Sequence, residues 1–131
     1  MTMPALRDEA VGFFDGFVEA FSSFSGARIA NLYFVPSVAL RGDGSIQCLQ
    51  SRADVERFFQ AALDGYYQDG CRASRFKNLE VVPMGGRSVL ATVTWELLRE
   101  DGGVLKEWRQ SYNLVRAEKG WQIFASTYHV G

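Results

Sequence analysis

The chain has 131 residues, is 47% hydrophobic and carries a formal net charge of −1. That is enough chain for one domain over residues 1–131, and too little charge to draw nucleic acid or anionic lipid by its field alone. It has no Lys/Arg-rich run, no apolar stretch near the ~20 residues that span a bilayer, and no signal-peptide pattern in Met1 to Asp8. The expectation is a cytoplasmic domain without nucleic-acid or membrane partners. Ten Phe, five Tyr and three Trp supply large rings of the kind that fill cores and line ligand pockets. Cys48 and Cys71 are far apart and His129 is the single histidine, which suits neither a disulfide framework nor a metal site, so no metal or other cofactor is expected.

The first half reads as mostly helical. From Leu6 to Phe24 the residues Leu6, Ala10, Phe13, Phe14, Phe17, Phe21 and Phe24 recur at three- and four-residue steps, one face of a helix. Gly12 and Gly16 lie inside it, each costing about 1 kcal/mol relative to alanine, and would let another backbone approach closely. Ser22, Ser23, Ser25 and Gly26 end this helix, and a short second helix is expected over Ala27 to Tyr33. Val35 to Arg41 reads as a strand, with Pro36 near its start, where a missing N–H is tolerated. Gly42-Asp43-Gly44 signals a turn into a partner strand over Ile46 to Leu49. Ser51 and Asp54 form a capping-box pattern with Asp in place of Glu. They open a helix with Val55, Phe58, Phe59, Ala62, Leu63 and Tyr66 on one face, ending near Asp69-Gly70.

The second half reads as strands: Arg72 to Val82, Ser88 to Arg99, Leu105 to Ala117 and Trp121 to His129. Short turns at Met84-Gly85-Gly86, Asp101-Gly102-Gly103 and Glu118-Lys119-Gly120 make them an antiparallel meander. Leu90, Leu98, Phe124 and Tyr128 fall on what strict alternation makes the second face, so both faces of the sheet read as partly covered. Helices cover one. A second copy of the chain is expected on the other, giving a homodimer through the sheet face.

The order long helix, short helix, strand pair, helix and long meander, ending on Gly120-Trp121-Gln122-Ile123, resembles the nuclear transport factor 2-like superfamily over nearly the whole chain. That group includes SnoaL-like polyketide cyclases, ketosteroid isomerase and scytalone dehydratase. The resemblance implies an α+β fold: a conical barrel of N-terminal helices packed on a curved, mainly antiparallel sheet, with a pocket between them and usually a dimer. It implies no activity, because this fold hosts enzymes, binding modules and assembly domains.

The family's catalytic sets are absent from this chain. A gapless match to ketosteroid isomerase over Phe17 to Arg41 puts Phe17 where the family has a tyrosine and Arg41 where it has the base carboxylate; neither can serve. The histidine pair of scytalone dehydratase is missing, since His129 stands alone. The Arg-x-Asp of limonene epoxide hydrolase has one match, Arg99-Glu100-Asp101, at a hairpin tip and away from any pocket. For a SnoaL-like acid/base lyase, isomerase or cyclase, the candidates are His129, Glu96 and Glu107. The two glutamates could equally pair with Arg109 across strands. His129 would reach the pocket rim if the row Trp121, Ile123, Ala125 and Thr127 faces inward; otherwise it lies at an exposed end.

What remains is a pocket for a small molecule that is partly apolar and, through Arg41, acidic. Arg41 would grip an acidic ligand, pair with Glu96 or Glu107, or lie exposed beside the Gly42 turn. Tyr33, Tyr66, Trp95, Trp108 and Tyr112 are the rings expected to line the pocket, or else to fill core or dimer interface. The competing functions are a ligand-binding domain, an acid/base enzyme on a polyketide- or steroid-like substrate, and a dimerisation module.

Overall fold

The computed structural model describes residues 2–131. Helix α1 (Met3–Ser22) begins earlier than its apolar periodicity, because a cap sets its start. The Thr2 hydroxyl accepts from the Ala5 N–H at 3.2 Å, and Pro4 occupies the first turn, where no N–H is needed. Its buried stripe is Leu6, Ala10, Phe14, Phe17, Ala20 and Phe21. Gly12 and Gly16 do not mediate close packing: a methyl added at either meets nothing within 4 Å. Helix α2 (Gly26–Ala30), capped by Ser25, is shorter than expected. Tyr33 belongs to strand β1 (Tyr33–Leu40) instead, since a short apolar run carries no period that separates helix from strand. Helix α3 (Arg52–Gln68) opens at the expected cap: Ser51 accepts from the Asp54 N–H at 3.1 Å, while the Asp54 carboxylate accepts at 3.1 Å from the N–H of Gln50, one residue before the cap, rather than from Ser51 as a capping box would have it.

Strands β2 (Ile46–Leu49), β3 (Ala73–Pro83), β4 (Ser88–Leu98), β5 (Val104–Ala117) and β6 (Gly120–Tyr128) join β1 in one sheet of order β2-β1-β6-β5-β4-β3. The meander β3 to β6 is antiparallel, as its short turns require, whereas β1 runs parallel to β6 and brings β2 with it. The sheet is open rather than a closed barrel, with β2 and β3 at its edges. The helices pack on one face, α1 against β3 and α2, and α3 against α2 and β2. Among the described residues no helix is long and apolar enough to cross a membrane.

Register shifts interrupt several strands, and one decides the site. Between Asn113↔Ala125 and Leu114↔Ile123, strand β6 holds an extra residue, Phe124. Such a bulge reverses which side chains face inward beyond it. Ile123 is fully buried, and past the bulge Ser126 and Tyr128 line the inner face while Thr127 and His129 point away. Tyr128 therefore gives no support to a covered outer face.

That outer face is partly self-covered. Thr92, Thr94 and Glu96 on β4 are buried although they face away from the helices. Long charged side chains lie over them, their stems on the sheet and their heads in water. Arg75 Nε donates to Glu96 at 2.8 Å, Lys77 bridges Glu96 and Glu107 at 3.6 and 3.1 Å, and Arg109 pairs with Glu80 at 2.7 Å. The Arg75 hydrogen bond, with the charges of Arg75 and Lys77, holds the Glu96 carboxyl below its ordinary range despite the opposing effect of desolvation. The folded value lies under the unfolded one of ~4.3, so the pairing stabilises the fold above that pH and is lost as pH falls through the folded value. Glu96→Gln should therefore melt at lower temperature than the parent at pH 7, with the gap closing below about pH 4. Thermal denaturation of both proteins from pH 7 to 3 measures this; a gap that stays constant to pH 3 would contradict the assignment.

Candidate functional site

A cavity of about 340 Å³ lies between the helices and the inner face of the sheet. Its depth is set by Tyr33 on β1 and Tyr112 on β5, with Phe17, Ile29 and Phe59 contributed by the three helices. Phe14 on α1 is fully buried beneath, in ring contact with Trp95, Tyr112 and Phe76. Trp95 Nε1 donates to the Tyr112 hydroxyl at 2.7 Å. The indole has no lone pair to return, so the tyrosine proton is directed elsewhere and can be donated to a ligand. Burial pushes the phenols of Tyr33, Tyr112 and Tyr66 above their ordinary values, with neighbouring tyrosines adding to each shift. All three stay neutral hydrogen-bond donors at physiological pH. In the wall, Ser74 is 6% exposed and its hydroxyl has no hydrogen-bond partner among the described residues.

The mouth is different in character. Arg41 directly follows β1, exposed, with its guanidinium 5.0 Å from the Phe58 ring centroid. It opens a tight turn in which the Arg41 N–H donates to the Ser45 carbonyl at 2.8 Å and the Gly44 N–H to the Arg41 carbonyl at 2.9 Å. Gly42 lets that turn rest on Tyr128, since a methyl there would stand 3.0 Å from the ring. Tyr128 stacks in turn on Trp108, with centroids 5.7 Å apart and planes 8° from parallel. The Lys106 ammonium lies 5.3–5.8 Å from the centroids of Tyr66, Trp108 and Tyr128. Among the described residues neither Arg41 nor Lys106 is in an ion pair. Asp43 also lines the mouth, exposed, and its carboxylate accepts from the Ser45 N–H and hydroxyl at 2.9 and 2.6 Å. Those bonds hold its carboxyl below the ordinary range, which makes it a poor base.

The expected pocket residues Tyr33, Tyr66, Trp95, Trp108 and Tyr112 meet in this one cavity, with Arg41 at its mouth. Of the placements open to Arg41, the structure has the exposed one beside the Gly42 turn, over the Phe58 ring, and not the buried carboxylate pair. Glu96 and Glu107 do not reach the cavity. They stand opposite each other on the outer face, paired to Arg75 and Lys77 rather than to Arg109. His129 is also outside, exposed, with Nε2 2.8 Å from the Ser111 hydroxyl, because the bulge turns Tyr128 inward in its place. The Arg99-Glu100-Asp101 tip is spent on its own hairpin, with Arg99 donating to the Val104 carbonyl and Asp101 accepting from the Gly103 N–H. The sequence pattern does not assign Lys106, Asp43, Ser74 or Tyr128 to the cavity, and the structure places all four in its lining. Lys106 was within reach of pattern, sharing strand parity with Trp108 and Tyr112; Tyr128 was hidden by the bulge. Among the described residues no three His, Cys, Asp or Glu side chains gather as metal ligands.

An open mixed sheet with helices on one face and a cavity between them is the nuclear transport factor 2-like, or cystatin-like, architecture. The model of a family described as NTF2-like protein (DUF6841) matches residues 8–130, and the chain belongs to that family. Solved structures agree on the fold. Aln2 from a Streptomyces species superposes with a TM-score of 0.75 at 17% identity, covering 98% of this chain and 92% of that one. An NTF-2 like protein of unknown function from Shewanella oneidensis gives 0.73 at 14% identity, over 96% and 98%. A domain of unknown function with a cystatin-like fold from Nostoc punctiforme gives 0.73 at 18% identity, over 97% and 78%. At such identities the likeness extends to the fold alone. No curated protein matches the chain in sequence.

Proposed function

We propose that this domain binds a small molecule with an apolar ring body and an acidic end. The observation that carries the reading is the mouth: Arg41 and Lys106, neither engaged in an ion pair among the described residues, stand over an aromatic cavity whose one carboxylate, Asp43, is tied into its own turn. A guanidinium offers an acid its bidentate fork, and the rings supply apolar contact. The volume sits near the low end of ligand pockets, which suits a molecule of one or two rings. Tyr112, and the unpartnered Ser74 hydroxyl in the wall, suit a second polar group on the ligand.

The acid/base alternative, a lyase, isomerase or cyclase, has less support. Tyr112 could polarise a carbonyl, but a proton abstraction also needs a base, and His129, Glu96 and Glu107 all lie across the sheet from the cavity. Homodimerisation through the sheet is a separate proposal. It rests on Val38, Ile46 and Phe124, exposed on the β2-β1-β6 side, and light scattering on a sizing column tests it.

A thermal-shift screen pairing aryl and alicyclic carboxylates with their neutral amides tests the ligand reading. A true ligand at a hundredfold excess over its dissociation constant should stabilise by about 2.7 kcal/mol, and its amide by much less. Arg41→Ala should weaken binding of the acid by roughly tenfold or more, the worth of a charge-assisted hydrogen bond. Shifts unchanged by Arg41→Ala, or equal for acid and amide, would overturn it.

A further inference from the structure

We infer that Lys106 determines the charge selectivity of the cavity by occupying, with its own ammonium, an aromatic box that would otherwise accept an organic cation. That ammonium lies against three rings, 5.3 Å from the Trp108 centroid, 5.7 Å from that of Tyr66 and 5.8 Å from that of Tyr128. Ring faces attract cations through their quadrupoles, and boxes of this kind recognise quaternary ammonium groups. The three rings come from α3, β5 and β6, so the box exists only in the folded chain.

The walls do not depend on Lys106 for their position. Trp108 is oriented by its Nε1–H donating to Gln110 at 2.8 Å, and it stacks on Tyr128. Tyr128 is backed by Gly42, whose missing side chain lets the turn seat against the ring. Tyr66 lies 6.5 Å from Trp108 and 6.2 Å from Phe21. Lys106 is the movable part: an exposed side chain on a flexible four-carbon stem, without an ion-pair partner among the described residues. A box held by its neighbours and filled by a flexible cation persists when that cation is removed. While Lys106 occupies it, a cationic guest is refused twice, by occupied space and by like charge, and an acidic guest finds its counter-charge at the entrance.

The acid-binding half of this inference rests on the function proposed above; the cation half does not. The experiment titrates the full chain with benzyltrimethylammonium and, separately, with phenylacetate, followed by calorimetry and tryptophan fluorescence. Lys106→Met should bind benzyltrimethylammonium at least ~tenfold more tightly than the parent, with a change in tryptophan emission from Trp108, and should lose affinity for phenylacetate. Lys106→Arg should behave like the parent. Lys119→Met, the same charge change at a remote turn, should not gain the cation. Adding Tyr128→Leu to Lys106→Met should remove the gain. Lys106→Gln provides a second neutral variant, and circular dichroism verifies that each is folded. If folded Lys106→Met and Lys106→Gln take up the ammonium no better than the parent, or no better than Lys119→Met, the inference is overturned. If the parent ignores phenylacetate while both neutral variants gain the cation, the box stands and the acid-binding reading falls.

Discussion

Phe14→Ala should cost the fold about 3–5 kcal/mol, the range for truncating a fully buried phenylalanine. That corresponds to roughly 10–20 °C in melting temperature for a domain of this size. Phe14 has no exposed surface and packs against Phe13 at 5.3 Å and against Phe76, Trp95 and Tyr112 at centroid separations of 5.5–6.0 Å. Those rings are too rigid, and too well bonded at Trp95 and Tyr112, to collapse into the space left behind. The same void would loosen the cavity floor, so the near-ultraviolet circular dichroism of the tryptophans should weaken before the far-ultraviolet signal does. Phe14→Leu should recover most of the loss. A penalty under about 1 kcal/mol for the alanine variant would show that the floor is not packed as described.

Gly26→Ala should be nearly as damaging, at about 3 kcal/mol, the upper end for overpacking. A methyl at Gly26 would overlap the Glu56 carbonyl oxygen and stand 2.8 Å from the Gln60 nitrogen, and both are backbone atoms of α3. A side chain could swing away; a helix backbone must shift as a whole. Moving α2 off α3 would also break the Gly26 N–H bond to the Gln60 side chain at 2.8 Å and the Gln60 bond to the Phe24 carbonyl at 3.1 Å. Ile29 on α2 lines the cavity, so a wall of the site would move with it. Gly12→Ala is the contrast. It sits in open space in a helix interior and should be neutral or stabilise by up to ~1 kcal/mol. Urea denaturation of the two variants should give opposite signs. Equal effects would mean that helix propensity rather than the α2–α3 approach governs Gly26.

Much of this protein was readable in its sequence because the relevant physics is local. Caps and turns are set by neighbouring residues, so Ser51 with Asp54, and the glycine turns between strands, located α3 and the meander. Trp108 and Tyr112 share a strand parity, so once one of them faces inward the other does too, and both line the cavity. Local signals also have a limit. Tyr33 reads as the end of a helix because the short stretch from Ala27 to Tyr33 carries too little period to distinguish the two states.

The tertiary structure decided what depends on partners distant in the chain. Strict alternation would carry His129 to the cavity side if the row of Trp121 and Ile123 faces inward; Ile123 does, but one extra residue at Phe124 in β6 reverses the parity and puts Tyr128 there instead. Glu96 is 5% exposed yet belongs to the outer face, because the side chains that bury it come from a neighbouring strand. The parallel pairing of β1 with β6 carries the Arg41 turn to the cavity mouth, where it meets Tyr128 and the box around Lys106. Composition and period established a helix-covered sheet rich in aromatic rings. Which rings face one another, and which charge stands among them, followed from strand register, because a side chain's face is inherited from every pairing before it.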